Sequence, residues 1–273
     1  MNKRLCVFSL VSALAVFGLA AGTVPAQSAD ELLKQGDESY SQKDDAKALE
    51  AYLAAVKAEP GRYEALWKAS RSLVDNGDLI DTKAKGWEDR QKKLYQDAAE
   101  HARKAVAANP NDTWGHHHLS AALGKYALTL GKKDQVRMSK EIKAEIDKAI
   151  ELDGTNDLAY HALGRWHRKM AEIGGASRFF GGILFGGIPK GSFADSETYL
   201  KKAVELRPDY VNHHLELGRT YAALERYKDA VEEFQKCLDL PAATSKDPGY
   251  MKEAEAELAK AKKELKEGLI PSA

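Results

Sequence analysis

Residues 212–241 read NHHLELGRTYAALERYKDAVEEFQKCLDLP, and residues 31–60 read ELLKQGDESYSQKDDAKALEAYLAAVKAEP. Both stretches carry a glycine, an alanine 12 residues later, an aromatic residue 4 after that, a small residue 3 further on, and a closing proline. The matching positions are Gly36, Ala48, Tyr52, Ala55 and Pro60 in the earlier stretch and Gly218, Ala230, Phe234, Cys237 and Pro241 in the later one. Small residues at this spacing let two antiparallel helices approach closely, and proline ends a helix. The pattern predicts a repeated pair of helices.

Three more copies lie between these two stretches, at 63–110, 116–154 and 159–208, and each has extra residues between its two helices. A further helix follows the last copy, with Asp247 and Pro248 as its expected N-cap and first residue and Gly268 as its expected stop. Its apolar stripe is formed by Met251, Ala254, Leu258, Ala261 and Leu265. Such a helix would cover the open end of a stack of repeats.

The 34-residue pattern resembles the tetratricopeptide repeat, a helix–turn–helix unit. The resemblance implies an all-α, right-handed superhelical solenoid of about five repeats with a C-terminal capping helix. The expected units are 27–62, 63–112 with an insertion at 78–93, 113–156 with an insertion, 157–210 with a Gly/Phe-rich insertion at 174–193, 211–244, and the capping helix at 247–268.

A closer resemblance is to the regulator-of-microtubule-dynamics branch of the tetratricopeptide superfamily, over roughly residues 60–240. It is carried by a Leu-Gly-Arg-Trp helix and by a Leu-Phe-Gly…Pro…Ser-Phe segment that enters the next helix. These residues are Leu163, Gly164, Arg165 and Trp166, then Leu184, Phe185, Gly186, Pro189, Ser192 and Phe193. The resemblance supports the architecture. It does not carry microtubule binding over to this chain, because the N-terminus indicates export.

The N-terminus has the features of a signal peptide. Lys3 and Arg4 precede an uncharged apolar run, and Val24 and Ala26 fit the residues before a cleavage site, so residues 1–26 are expected to be removed. An uncleaved signal anchor is the alternative. Cleavage leaves 39 basic and 41 acidic side chains, a balance that gives no reason to bind nucleic acid. We expect a periplasmic or secreted protein with no stable membrane anchor after cleavage.

No catalytic motif is found in the chain: Gly-x-Ser-x-Gly and His-Glu-x-x-His are both absent. We therefore expect no enzyme activity and no cofactor. Cys237 occupies the small-residue position of its repeat, which predicts a buried, inert thiol. His116 and His214 fall where the family has a packing tryptophan, and His167 where it has a tyrosine, so these three histidines are predicted to be structural.

The resemblance also implies a concave groove lined by fixed positions of each first helix. The side chains predicted to bind a partner there are Lys68, Arg71, His117, His118, Lys125, His161, Arg165, Arg168, Lys169 and Arg219. In the last three repeats the groove positions carry five Lys or Arg residues and one acid, Glu216. We expect a protein or peptide partner, with acidic groups as candidates, and a role as adaptor or assembly factor. There are two alternatives. The excess of Lys and Arg can arise by chance, because both residues are common on helices, or the chain can be a small-ligand or metal-binding envelope protein that uses the groove histidines.

The stretch IGGASRFFGGILFGGIPKGSF, residues 173–193, forms the insertion of the fourth repeat. It is not a phosphate loop, because its lysine precedes the glycine, and it is too short and interrupted to cross a membrane. Its apolar side chains predict an ordered insertion, with a short helix around 176–185, packed on its own solenoid. A docking surface for a partner or a membrane is the alternative.

Overall fold

The computed structural model describes residues 27–174 and 187–267, and within these ranges the chain forms eleven helices and no strand. The helices are α1 (Ala29–Ser41), α2 (Asp45–Ala58), α3 (Tyr63–Asp78), α4 (Trp87–Ala108), α5 (Thr113–Leu128), α6 (Lys132–Leu152), α7 (Asp157–Ala171), α8 (Phe193–Leu206), α9 (Val211–Ala223), α10 (Tyr227–Asp239) and α11 (Asp247–Glu267). The expected all-α class is confirmed.

The helices stack as successive pairs. Each helix packs against the next one in the chain, and the first helices of successive repeats, α3, α5, α7 and α9, also contact one another. Helix α11 packs on both α9 and α10 and closes the stack. This is the arrangement of a helical solenoid, in which a row of first helices forms one continuous face.

The positions shared by the repeats form the contacts inside each pair. Tyr52 and Phe234 are fully buried, as are the small residues one turn later, Ala55 and Cys237. A Cβ placed on Gly36 would lie 2.4 Å from Tyr52 Cε1, and one on Gly218 would lie 2.6 Å from Phe234 Cε1. Only glycine leaves room for the ring, which explains the spacing that predicts the fold. Cys237 is buried as predicted, and burial raises the pKa of its thiol to about 12.

The first and last repeats also share their turn. Lys43 and Glu225 each lie seven residues after the repeat glycine, and each has a left-handed backbone, with φ of 62° and 59°. Few residues other than glycine adopt this conformation. Its recurrence at the same position shows that the α1–α2 and α9–α10 turns are built in the same way.

The extra residues of the second and third repeats lengthen helices. Helix α4 has 22 residues and α6 has 21, whereas α2 and α10 have 14 and 13. Much of the insertion expected at 78–93 is therefore the first two turns of α4. The pair α3 and α4 has a close glycine–aromatic contact of the same kind, since a Cβ on Gly77 would lie 2.5 Å from Tyr95 Cε1.

The Leu-Gly-Arg-Trp motif holds α7 to both of its neighbours. A Cβ on Gly164 would lie 2.5 Å from Leu200 Cγ in α8, and Trp166 Nε1 donates to the Ser139 carbonyl of α6 at 2.9 Å. His167 packs against Trp166 and Tyr199, as expected of a structural histidine. Three of the four motif residues are thus packing residues, and Arg165 alone points to another role.

The capping helix begins where expected, but the role of its first residue differs from the prediction. The Asp247 carboxylate accepts hydrogen bonds from the backbone N–H groups of Ala243 and Thr244, at 2.8 and 2.7 Å. Both donors precede the helix, so Asp247 closes the preceding turn instead of capping the helix N-terminus. Ala254, Leu258 and Ala261 are buried, which confirms the centre of the apolar stripe.

The predicted helix around 176–185 lies outside the described residues, as does the expected signal peptide, so both stay predictions. The described end of the insertion runs close to α7, since a Cβ on Gly191 would lie 2.4 Å from the His167 carbonyl oxygen. Ser192 then caps α8 by accepting from the Asp195 N–H at 3.0 Å. None of the helices within the described ranges combines the length and apolarity needed to cross a membrane.

Candidate functional site

The ten predicted side chains all project from first helices. Lys68 and Arg71 lie on α3, and Arg219 lies on α9. The others are His117, His118 and Lys125 on α5, and His161, Arg165, Arg168 and Lys169 on α7. Most of them belong to two groups. The aromatic cluster contains Lys68, Arg71, His117 and His118 with Trp67 and Trp114, on α3 and α5, and the arginine cluster contains Arg165, Arg168, Lys169 and Arg219, on α7 and α9.

The aromatic cluster is a stack of rings. Trp67 and Trp114 lie 5.6 Å apart between ring centroids, and the His118 ring is parallel to Trp67 at 5.2 Å. His117 meets His118 edge-on at 4.8 Å. Both histidines are more than nine-tenths buried, whereas the two tryptophans are partly exposed. Burial lowers the pKa of His117 to about 4 and that of His118 well below its usual value, so both rings are neutral at pH 7.

The cations of the aromatic cluster are held in two ways. Lys68 is buried, and its Nζ lies 2.7 Å from Asp37 and 2.6 Å from Glu64. The Arg71 guanidinium lies 3.7 Å above the Tyr40 ring and donates to the Tyr52 hydroxyl at 3.1 Å. Among the residues the structure describes, no carboxylate is within 4.0 Å of the Arg71 guanidinium. Arg71 is therefore a cation supported mainly by aromatic faces.

The arginine cluster surrounds one buried carboxylate. Glu216 is 2% exposed and forms ion pairs with Arg168, with Arg219 at 3.0 Å and with Arg165 at 3.4 Å. Burial opposes its charge, but the charges of Arg165, Arg168 and Arg219 hold the pKa of Glu216 well below its usual value. The carboxylate is therefore ionised at pH 7.

An open cleft of about 460 Å³ borders the arginine cluster. Its lining includes Arg165, Arg168, Lys169, Arg219, Glu216 and Glu257. Arg168 and Arg219 also pair with the acids Glu172 and Glu253, at 2.7 and 2.5 Å. Arg165 is different, because Nη1 and Nη2 have no hydrogen-bond acceptor among the described residues. Arg165 is the cation of this cleft that can take an anionic group.

The acids around these cations reduce the positive bias predicted for the groove. Besides Glu172 and Glu253, Asp78 pairs with Lys125 at 2.6 Å. None of these three acids occupies a groove position of the family pattern, so counting only those positions overstated the local charge. The basic character is concentrated at Arg71 and Arg165.

His161 and His213 form a hydrogen-bonded pair, with their Nδ1 atoms 2.9 Å apart. His213 Nε2 lies 2.9 Å from the Asp157 carboxylate, which can only accept, so Nε2 carries the proton. Burial lowers the pKa of both rings. A neutral His213 must then accept at Nδ1 from His161 Nδ1–H, which leaves His161 Nε2 as an acceptor on the concave face.

His116 and His214 have identical surroundings in their repeats. His116 Nδ1 contacts Glu145 at 2.6 Å and its Nε2 contacts the Pro110 carbonyl at 3.0 Å, and His214 makes the same contacts with Glu233 at 2.7 Å and Pro208 at 2.8 Å. Each ring thus ties a second helix to the preceding turn. Their predicted structural role is confirmed.

A metal site would need at least three ligands around one point. The described residues contain no group of three His, Cys, Asp or Glu side chains placed to hold a metal ion. The groove histidines are instead stacked on rings or bonded to each other, so nothing in this part of the chain favours the metal-binding alternative.

Residues outside the repeat pattern complete the concave face. Lys246, from the α10–α11 connection, places Nζ 2.5 Å from Asp75 Oδ1 in α3. Lys43, in the α1–α2 turn, donates to the Ala242 carbonyl at 3.0 Å. The repeat pattern contains no signal for these contacts, because Ala242 and Lys246 both follow Pro241, the last position of the pattern, and have no repeat equivalent.

The comparisons with known proteins agree with this architecture. The family model "Regulator of microtubule dynamics protein 1-3" matches residues 32–262. The chain belongs to this family. Regulator of microtubule dynamics protein 1 of Mus musculus is 26% identical over 254 residues, covering 90% of this chain and 81% of the mouse protein. The Caenorhabditis elegans protein of the same name is 22% identical over 230 residues, covering 84% of this chain and 99% of the relative.

A solved structure supports the repeat fold of this family member. TTC0263, a thermophilic tetratricopeptide-repeat protein of Thermus thermophilus, superposes with a TM-score of 0.61 at 18% identity. The match covers 85% of this chain and 99% of the Thermus protein. At this identity the likeness shows the fold alone, and the fold is that of a tetratricopeptide-repeat protein.

Proposed function

We propose that this chain is a non-enzymatic scaffold that binds a protein or peptide partner on its concave face, as an exported adaptor or assembly factor. The support is its membership of a family of regulators and a repeat fold that suggests protein–protein interaction. Within that fold, rigid first helices position the candidate side chains, as a binding face requires.

The observation that carries the proposal is the cleft beside Arg165. A guanidinium with two free terminal nitrogens, next to Lys169 and Arg219 in an open cleft, fits a carboxylate or another planar anionic group. The partner would place an acidic side chain or its C-terminal carboxylate on Arg165. Arg168, Arg219 and Glu216 would hold the surrounding helices in position.

The test is affinity purification of the tagged full-length chain from an envelope extract of its own organism, followed by titration of the recovered partner. The variant is Arg165→Gln with Lys169→Gln. Glu216 retains Arg168 and Arg219, so the fold should survive. We expect the affinity for the partner to fall by about tenfold or more, the size of one lost charge-assisted hydrogen bond. Binding should also weaken as salt rises.

The matched control is Lys252→Gln with Lys262→Gln, which removes the same charge from exposed positions of α11. It should bind the partner as the wild type does. Unchanged binding by the Arg165/Lys169 variant would contradict the assignment of the cleft. A variant with Arg165→Glu and Arg219→Glu is a poor test, because it would surround the buried Glu216 with like charges and unfold the site.

We also propose that the protein is exported and that cleavage follows Ala26. The support is the charged start, the apolar run and the small residues of the first 26 positions. Intact-mass measurement of the native protein should give an N-terminus at Gln27 in the soluble envelope fraction. A full-length mass in the membrane fraction would contradict cleavage and favour a signal anchor.

A further inference from the structure

The connection between α10 and α11 returns to the first two repeats. Lys43 Nζ donates to the Ala242 carbonyl at 3.0 Å, and Lys246 Nζ lies 2.5 Å from Asp75 Oδ1 and 4.0 Å from Asp78 Oδ2. The two main contacts join residues that are 199 and 171 positions apart in the chain. In an open solenoid each repeat contacts only its neighbours. These contacts therefore close the concave face of the solenoid.

The closing contact is a largely buried ion pair. The side chain of Lys246 is 18% exposed and that of Asp75 is 3% exposed. Burial opposes the charge of Lys246, but Asp75, Tyr250, Tyr210 and Asp78 together hold the pKa of its ammonium well above the usual value. The attraction therefore outweighs the cost of desolvation while the pair is closed. Opening returns both charges to water, and their hydration offsets part of the attraction that is lost.

The repeats on either side of the closure do not depend on it. The apolar core of the first repeats contains residues from α1, α2 and α3, and that of the last repeats contains residues from α8 to α11. Neither core includes a residue of the other, and the two closing contacts, Lys43 with Ala242 and Lys246 with Asp75, are polar. Breaking the closure should therefore leave both cores intact.

Three of the residues predicted to bind a partner are buried in the closed molecule. His117, His118 and His161 project from first helices, but they are only 6–7% exposed. Two of their ring nitrogens, His117 Nδ1 and His118 Nε2, are buried without a hydrogen-bond partner. Unpaired buried polar atoms are costly, and a bound partner or water could satisfy them once the face is open.

We propose that residues 242–246 form a latch that holds the concave face closed through Lys246 on Asp75 and Lys43 on the Ala242 carbonyl. Release of Lys246 separates the α10–α11 connection from α3 and exposes His117, His118 and His161 to a protein or peptide partner. The binding of a protein or peptide partner to the open face rests on the proposed function, whereas the closure itself can be measured without any partner.

The first measurement is a distance across the latch, by pulsed electron–electron double resonance. Spin labels on Gln42→Cys and Ala243→Cys, both exposed, report the separation of the two sides in a full-length chain with Cys6→Ala and Cys237→Ala. The wild-type latch should give one short, narrow distribution. Lys246→Met should add a population at longer distance, because it leaves Asp75 without its counter-ion. Lys246→Arg keeps the charge and should stay closed.

The second measurement is the rate of histidine modification by diethyl pyrocarbonate, read by mass spectrometry. His117, His118 and His161 should react about tenfold faster or more in Lys246→Met, the factor expected for one lost charge-assisted hydrogen bond. His101, which is partly exposed on α4, should react equally in both proteins. His116 and His214, each held at both nitrogens, should stay protected if the repeats remain folded.

The outcomes separate the latch from the proposed function. Unchanged distances and unchanged protection in folded Lys246→Met would overturn the latch. If Lys246→Met does not fold, Lys43→Ala, which alters an exposed side chain, should still show a smaller opening, and no opening there would also overturn it. If the opened protein binds the recovered partner no better than the wild type, the role of the latch in binding is wrong although the closure stands.

Discussion

Arg71 and Arg168 both project from first helices onto the concave face, but their surroundings are opposite. The Arg71 guanidinium lies over Tyr40 and beside Trp67 and bonds to a neutral hydroxyl. Arg168 shares the buried Glu216 with two other arginines. The partners of Arg71 are neutral rings and a hydroxyl, whereas in the arginine cluster one carboxylate keeps three like charges together.

This difference predicts where the protein is fragile. Loss of a ring near Arg71 removes a weak cation–π contact and leaves no buried charge unpaired, because the guanidinium is partly exposed. Loss of Glu216 leaves guanidinium groups facing one another with too little negative charge. The arginine cluster should therefore be sensitive to the removal of a single group, and the aromatic cluster should tolerate it.

The largest effect is expected for Glu216→Gln. The substitution keeps the shape but removes the common counter-ion, so the free energy of unfolding should fall by about 3–5 kcal/mol. Urea denaturation at pH 7 measures it. Glu253→Gln, which affects an exposed partner of Arg219, should cost less than about 1 kcal/mol, and so should Trp67→Phe in the other cluster. Equal effects at Glu216 and Glu253 would contradict the central role of Glu216.

The pH dependence of stability should come from the histidines whose pKa is lowered by burial, which are His117, His118, His161, His167 and His213. The pKa of each buried histidine is lowered by burial, to about 4 for His117, so below the unfolded value of about 6.5 the unfolded chain binds more protons. Stability should then decrease from about pH 6.5 towards pH 4. The arginine cluster should not contribute to the upper part of this decrease. The pKa of Glu216 is lowered in the folded protein, so the stabilisation from its ion pairs is lost only when the pH falls below the pKa of glutamate in the unfolded chain.

Replacing one titrating ring sharpens this prediction. His118→Phe keeps a ring stacked on Trp67 but cannot take a proton, so the slope of stability against pH should fall by up to about 1.4 kcal/mol per pH unit below pH 5.5. Urea midpoints measured at several pH values give the slope. If the slope is the same in the variant, His118 does not titrate as a buried neutral group.

Effects smaller than that of Glu216→Gln should be alike at both ends of the solenoid. Gly36→Ala and Gly218→Ala would push a Cβ to within 2.4 Å of Tyr52 and 2.6 Å of Phe234, and each should cost about 1–3 kcal/mol. Gly124→Ala, in a helix with nothing within 4 Å of the new atom, should instead stabilise by about 0.5–1 kcal/mol. Thermal melts of the three variants test this. Stabilisation by Gly36→Ala would show that the repeat contact is looser than described.

The sequence was sufficient for the fold because each repeat carries its own packing contacts. Gly36 and Tyr52, or Gly218 and Phe234, are 16 residues apart, and a short turn brings them together whatever the rest of the chain does. The lengths of α4 and α6 were harder to predict, because helix-forming residues in an insertion can extend a helix or form a loop. The partners of the candidate residues were predicted least well.

Those partners depend on how the repeats are arranged in space. Glu253, Asp78 and Lys246 reach the concave face only because successive first helices curve around it, and that curvature is set by small rotations between repeats. A repeat pattern in the sequence does not predict contacts between the first and the last repeat. For the same reason, the positions of Arg165, Arg219 and Glu216 on their first helices were predictable, whereas the pairing of Arg219 with Glu253 was not.

The closure of the concave face is tested most directly by a double-mutant cycle between Lys246 and Asp75. Urea denaturation of the wild type, Lys246→Met, Asp75→Asn and the double variant gives the coupling free energy across 171 residues. The structure predicts a coupling of about 1–3 kcal/mol, with the double variant more stable than the sum of the two single losses implies. Additivity to within about 0.5 kcal/mol would show that the two side chains do not meet, and would contradict the closed solenoid.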